Sequence, residues 1–66
     1  MIFNERLKEL RIKKQLSQIE LAALTSTGQS SISAWERGER EPLAHQLVDL
    51  ANALDCSVDY LLGLKD

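Results

Sequence analysis

The apolar residues of this chain recur mostly three, four and seven positions apart in five short runs. That spacing gathers them on one side of a helix. Runs this short do not hold a helix by themselves, so each helix must be stabilised by packing on the others. Strand signals are nearly missing: the chain has three Gly, one Pro and no alternating β-branched run. The expectation is an all-α bundle around one shared core. Sixty-six residues make at most one domain, 1–66. A domain of this size buries only about 60% of its unfolded surface, which leaves little apolar area to spare.

Nothing else can staple the fold. One Cys cannot close an internal disulfide, and one Cys with one His falls short of a four-ligand zinc site. No apolar run approaches the roughly 18 residues of a membrane span. The opening Met-Ile-Phe-Asn-Glu reads as a cytoplasmic amino terminus rather than a signal peptide. No nucleophile–base pair or metal cluster is present to support catalysis. The chain is therefore expected to be a cytoplasmic binding module, not an enzyme, with no cofactor and no metal.

The first run begins at Asn4, read as an N-cap, and continues to about Lys14, with Phe3, Leu7 and Leu10 on one stripe. Arg11, four residues after Leu7, borders that stripe. The second opens on Ser17-Gln18-Ile19-Glu20, a capping box, and covers Gln18 to about Leu24 with Leu21 and Ala22 inward. Thr25-Ser26-Thr27-Gly28 is a turn. The third run spans about Gln29 to Arg37 and stops at Gly38. Its apolar residues Ile32 and Trp35 predict a narrow buried face. Gln29, Ser30, Ser33, Ala34 and Arg37 form the opposite face, made of small or flat polar groups. After the charged loop Glu39-Arg40-Glu41-Pro42 comes the clearest amphipathic helix, with Leu43, Leu47, Leu50, Ala51 and Leu54 on its stripe. Ser57 caps a last short helix through Val58, Tyr60, Leu61 and Leu62 to Gly63.

Two short helices joined by a four-residue turn have the layout of a helix-turn-helix, here about residues 18–37. Ser17-Gln18-x-Glu20-Leu21-Ala22, Gln29-Ser30-Ser31-Ile32-Ser33-x-Trp35-Glu36-x-Gly38, Pro42, Leu50-Ala51-x-Ala53-Leu54 and Ser57-Val58-Asp59-Tyr60-Leu61-Leu62-Gly63 together resemble the Cro/phage-repressor (Xre-type) DNA-binding family. The likeness runs from Phe3 to Gly63 and implies a five-helix, lambda-repressor-like domain.

The resemblance also implies roles. The third helix would lie in the major groove of double-stranded DNA, with Gln29, Ser30, Ser33 and Ala34 towards base edges. Gln pairs well with adenine, Ser donates or accepts, and an Ala methyl packs on thymine. Gln18, Thr27, Gly28, Ser31, Arg37 and Arg40 would meet the sugar-phosphate backbone, Gln18 at the positive end of its helix. Arg11 and Glu36 would meet as a partly buried ion pair. Val58, Tyr60 and Leu64 would face a second copy, with Leu61 inward. The expected function is a sequence-specific transcriptional regulator, a repressor that binds a palindromic operator as a homodimer. An antitoxin or restriction-modification controller with the same domain is an alternative. So is a module that binds an unknown protein partner and has lost DNA binding.

Taken alone, the polar residues of the third helix also fit an ordinary solvated face. Trp35 reads as core, His45 as exposed and Cys56 as a small hydrophobe filling a gap. The net charge of −2 sits awkwardly with a polyanionic ligand. It is unevenly spread: basic residues lead acidic ones seven to five through Arg40, and acids lead five to one beyond it. The chain also departs from the family pattern at several turns. Gln15, Ser26 and Asp55 stand where Gly is common, with strain expected mainly at Gln15. Thr25 and Thr27 stand at positions usually apolar, and Gly28 replaces a hydroxyl cap.

Overall fold

A computed structural model describes residues 2–65. Its helices are α1 (Ile2–Lys13), α2 (Gln18–Leu24), α3 (Gln29–Glu36), α4 (Ala44–Ala53) and α5 (Val58–Leu62), and no strand occurs among the described residues. Helix α1 is the hub. It packs against α3 on one side and α5 on the other, α2 lies on α3, and α4 lies on α5. Each helix sends one wholly buried side chain to the common core: Leu7, Leu21, Ile32, Leu50 and Leu61, joined by Leu54 at the end of α4. Phe3, Trp35, Ala22 and Ala51 fill between them. Truncating any of these leucines to Ala would cost about 2–5 kcal/mol, a large share of the stability of so small a domain.

All five helices stop in the same way. The residue after each last turn lies in the left-handed region: Gln15 (φ 60°), Ser26 (55°), Gly38 (76°), Asp55 (57°) and Gly63 (80°). Each stop is closed by two backbone bonds of the Schellman type. Examples are Leu16 N to Arg11 O at 3.0 Å with Gln15 N to Ile12 O at 2.9 Å, and Leu64 N to Asp59 O at 2.9 Å with Gly63 N to Tyr60 O at 3.1 Å. Only two of the five positions carry glycine. At Gly63 a side chain is disfavoured by φ, and a Cβ there would also meet Ile2 Cγ2, which would have to shift.

Two helix starts differ from the sequence reading, and a third position shows how a polar residue is accommodated. Asn4 does not cap α1 but lies within it, because its side chain has a partner elsewhere: Nδ2 donates to the Glu36 carbonyl at 3.2 Å. That carbonyl belongs to the last turn of α3 and has no partner inside its own helix. Leu43 is not on the buried stripe of α4. It precedes the helix with extended backbone, its N–H donates to Gln46 Oε1 at 2.7 Å, and its side chain is exposed. Thr25 is buried although polar, and its hydroxyl is satisfied by donating to the Leu21 carbonyl at 2.8 Å. A threonine therefore serves at a position where an apolar residue would need no partner.

Candidate nucleic-acid interface

Helices α2 and α3 meet across the turn Thr25–Gly28, which sets the exposed face of α3. Ser17 and Glu20 form the full capping box: Glu20 N donates to Ser17 Oγ at 3.0 Å and Ser17 N to Glu20 Oε1 at 2.8 Å. These bonds hold the Glu20 carboxyl below the usual carboxylate range, the backbone bond from Ser17 contributing most. At the start of α3, Gly28 has extended backbone and gives no side-chain cap. Gln29 and Ser30 in that first turn are exposed, and Ser31 and Ser33 half-buried.

Behind this face lies a connected polar network. Arg11 Nε and Nη2 donate to Glu36 Oε2 and Oε1 at 2.6 and 3.1 Å, a bidentate fork. The side chains are 12% and 5% exposed, so the pair is largely out of water. Arg11 Nη1 also donates to the Leu16 carbonyl at 2.8 Å. Gln18 Nε2 donates to the same Glu36 carboxylate at 3.1 Å, and Gln29 Nε2 reaches Gln18 Oε1 at 3.4 Å. The amide planes of Gln18 and Gln29 are thus oriented from the core outwards. Each amide keeps one N–H beyond these bonds.

The remaining candidates are spread around this centre. The Thr27 hydroxyl lies 3.2 Å from that of Thr25, and Arg40 is exposed. Arg37 is exposed and already engaged: Nε and Nη2 donate to Glu39 Oε2 and Oε1 at 2.8 and 3.0 Å, and Nη1 donates to Ser33 Oγ. The pair holds the Glu39 carboxyl below its ordinary range, chiefly through the hydrogen bonds from Arg37. Ala34 corrects the sequence reading. It is 6% exposed, because α3 is covered by both α1 and α2 and so buries a wider arc than Ile32 and Trp35 alone. Its methyl is not available to a base.

At the far end, Val58 packs partly against the core and Leu64 is 74% exposed. Tyr60 is half-buried under Arg6, whose guanidinium sits 4.1 Å from the ring centroid. Arg6 also donates to the carbonyls of Tyr60 and Lys65 at 2.6 and 2.7 Å. A groove of about 180 Å³ opens nearby among Phe3, Pro42, Leu47 and Leu62. His45 is exposed. Cys56 is half-buried, and burial pushes its thiol pKa up. No cluster of His, Cys, Asp and Glu among the described residues could hold a metal, and no described helix is long and apolar enough to cross a membrane.

Of the contacts that join distant segments, the resemblance gave the Arg11–Glu36 pair, and sequence reasoning missed the others. Asn4 on the Glu36 carbonyl and Arg6 over Tyr60 carry no local signature. Arg37 with Glu39 had one, since a glycine between opposite charges at a helix stop lets the second fold back on the first.

Comparison with known proteins agrees with this layout. The family model described as "Helix-turn-helix" matches residues 7–61. Repressor protein C2 of Salmonella phage P22 is 39% identical over 61 residues, covering 92% of this chain and 28% of that protein. The transcriptional regulator ImmR of Bacillus subtilis is 40% identical over 63 residues, covering 96% of this chain and 50% of its own. The chain thus spans between about a quarter and a half of these relatives. The crystal structure of the P22 c2 repressor with a synthetic operator superposes with a TM-score of 0.89, at 38% identity over 92% of both chains. The restriction-modification controller C.AhdI of Aeromonas hydrophila superposes at 0.85, with 41% identity over 89% of both.

Proposed function

The chain belongs to the helix-turn-helix family, and on that premise we propose that it binds double-stranded DNA sequence-specifically as the DNA-binding part of a transcriptional repressor. The observation that carries this is the first turn of α3. It is uncapped and exposed, bears Gln29 and Ser30, and is braced from behind by Gln18, Glu36 and Arg11. A surface face needs no such bracing, whereas a reading face does, because base discrimination depends on donors held in fixed directions.

In this reading α3 enters the major groove with Gln29, Ser30 and Ser33 on base edges. Gln18, Thr27, Gly28, Ser31 and Arg40 lie against the backbone, with Arg37 beside them. A single module covers little DNA, so useful affinity calls for a homodimer on a palindrome with half-sites about 34 Å apart. Repression then follows from occupancy of a site that polymerase needs. The two-fold contact would use Val58, Tyr60 and Leu64, next to the groove lined by Leu47 and Leu62.

The likeness to C.AhdI favours a second reading, a restriction-modification controller with the same DNA contact. Selection from a random duplex library near physiological salt tests the proposal. Enrichment of an inverted repeat is the expected result. A folded chain that enriches nothing would overturn it in favour of a protein partner.

A further inference from the structure

Ser33 and Arg37 both lie on the side of α3 assigned to DNA, yet three of the five N–H donors of Arg37 are already engaged within the chain. Gly38 reverses the chain with φ 76°, and Glu39 N is fixed on the Ala34 carbonyl at 3.0 Å. The Glu39 carboxylate therefore returns over the end of α3 and takes Arg37 in a two-pronged grip at 2.8 and 3.0 Å. The third arm of the same guanidinium then rests on Ser33 Oγ. We propose that Glu39 is a specificity-determining positioning residue, acting through Arg37 to make Ser33 a hydrogen-bond donor towards a base edge. This rests on α3 being the recognition helix.

The chemistry follows from the donor inventory. Arg has donors only, and a Ser hydroxyl has one O–H and two lone pairs. With a guanidinium N–H on one lone pair, its positive field disfavours a second donor at the other. The O–H is what remains to offer. Ser33 then suits the acceptors of the major groove, which are purine N7, guanine O6 and thymine O4, and disfavours the amino groups of cytosine and adenine. Without Glu39 the guanidinium can swing out to a phosphate, and Ser33 is left able to donate or accept. The same carboxylate thus withholds one cation from the backbone and sharpens one base contact. It is ionised at neutral pH as any exposed carboxylate is, and the Arg37 bonds lower its pKa further.

The test is duplex selection and salt titration on the wild-type chain, Glu39→Gln, Arg37→Gln and the double variant. Glu39→Gln is expected to bind non-specific duplex up to about fivefold more tightly, the size expected of one released surface pair. Its salt dependence should steepen by about one phosphate contact. Its preference at the one base position facing Ser33 should flatten while the other positions hold. In the Arg37→Gln background the same change should not alter that preference, whereas simple loss of a negative charge would act equally in both backgrounds. Unchanged base preference in Glu39→Gln, or equal effects in both backgrounds, overturns the proposal and leaves the DNA-binding reading intact. A wild-type chain that enriches no sequence overturns both.

Discussion

Arg11 and Glu36 face each other with two bonds, 2.6 and 3.1 Å, where α1 passes behind the end of α3. Removing one member strands the other in a place with little water. Glu36→Ala should therefore lose about 3–5 kcal/mol. For a domain of this size that is most of its stability. Thermal unfolding followed by circular dichroism should show the transition gone or displaced to low temperature. An unchanged midpoint would mean the pair adds nothing.

The left-handed residues after α1, α2 and α4 carry side chains. Gln15 has neither the short polar side chain that lets Asp tolerate this region nor the hydroxyl of Ser. Gln15→Gly should stabilise by about 1 kcal/mol, net of the extra freedom gained when unfolded. The melting point should rise by about 4–8 °C, and by less for Asp55→Gly. Equal shifts at the two sites would contradict the argument.

Glu20 gives the fold an acid-sensitive element. Its carboxyl is held below the ordinary range by its bonds with Ser17, so the ionised form is favoured in the folded state. The contribution is full above the unfolded carboxylate pKa and fades as pH falls through the folded one. Between pH 7 and pH 3 the wild-type should lose more melting temperature than Glu20→Gln. Parallel curves would remove this cap from the account.

Self-association offers a check on the far side of the molecule. Leu64 is 74% exposed, beside an α5 whose Tyr60 is pinned by Arg6. Leu64→Glu should leave the folding stability within about 0.5 kcal/mol of wild-type, as for most surface changes. It should shift sedimentation towards monomer and weaken binding to a two-half-site duplex by at least about tenfold. A variant that sediments and binds as wild-type would overturn the proposed two-fold contact through Leu64.

What the sequence made legible was local. The Ser17–Glu20 box, the Ser57 cap and the stops at Gly38 and Gly63 each depend on residues within one turn, and a reader of the sequence can see them. The unusual residues at Gln15, Ser26 and Asp55 were legible for the same reason. Apart from the Arg11–Glu36 pair, which the family resemblance implied, what was decided between segments escaped. Asn4 is a good cap in isolation, but the unpaired carbonyl of Glu36 offers it a partner. Ala34 looked exposed because two large apolar residues defined the buried arc, while a small residue can be covered without announcing it. On the candidate site, the residue types of α3 were legible and the hold that Glu39 keeps on Arg37 was not.

The five Schellman stops have a consequence for how quickly the chain finds its fold. Each is closed by bonds between residues no more than five apart, so every helix can end correctly before any other segment arrives. Helices and their stops then form transiently on the microsecond scale of local chain motion and persist only once packed. The slow events left are the meetings of α1 with α3 and with the end of the chain, where Arg6 takes hold of a carbonyl 59 residues away. Folding speed should thus be governed by the long-range closures that bring α1 onto α3 and α5, and substitutions at the helix stops should chiefly change how fast the domain comes apart.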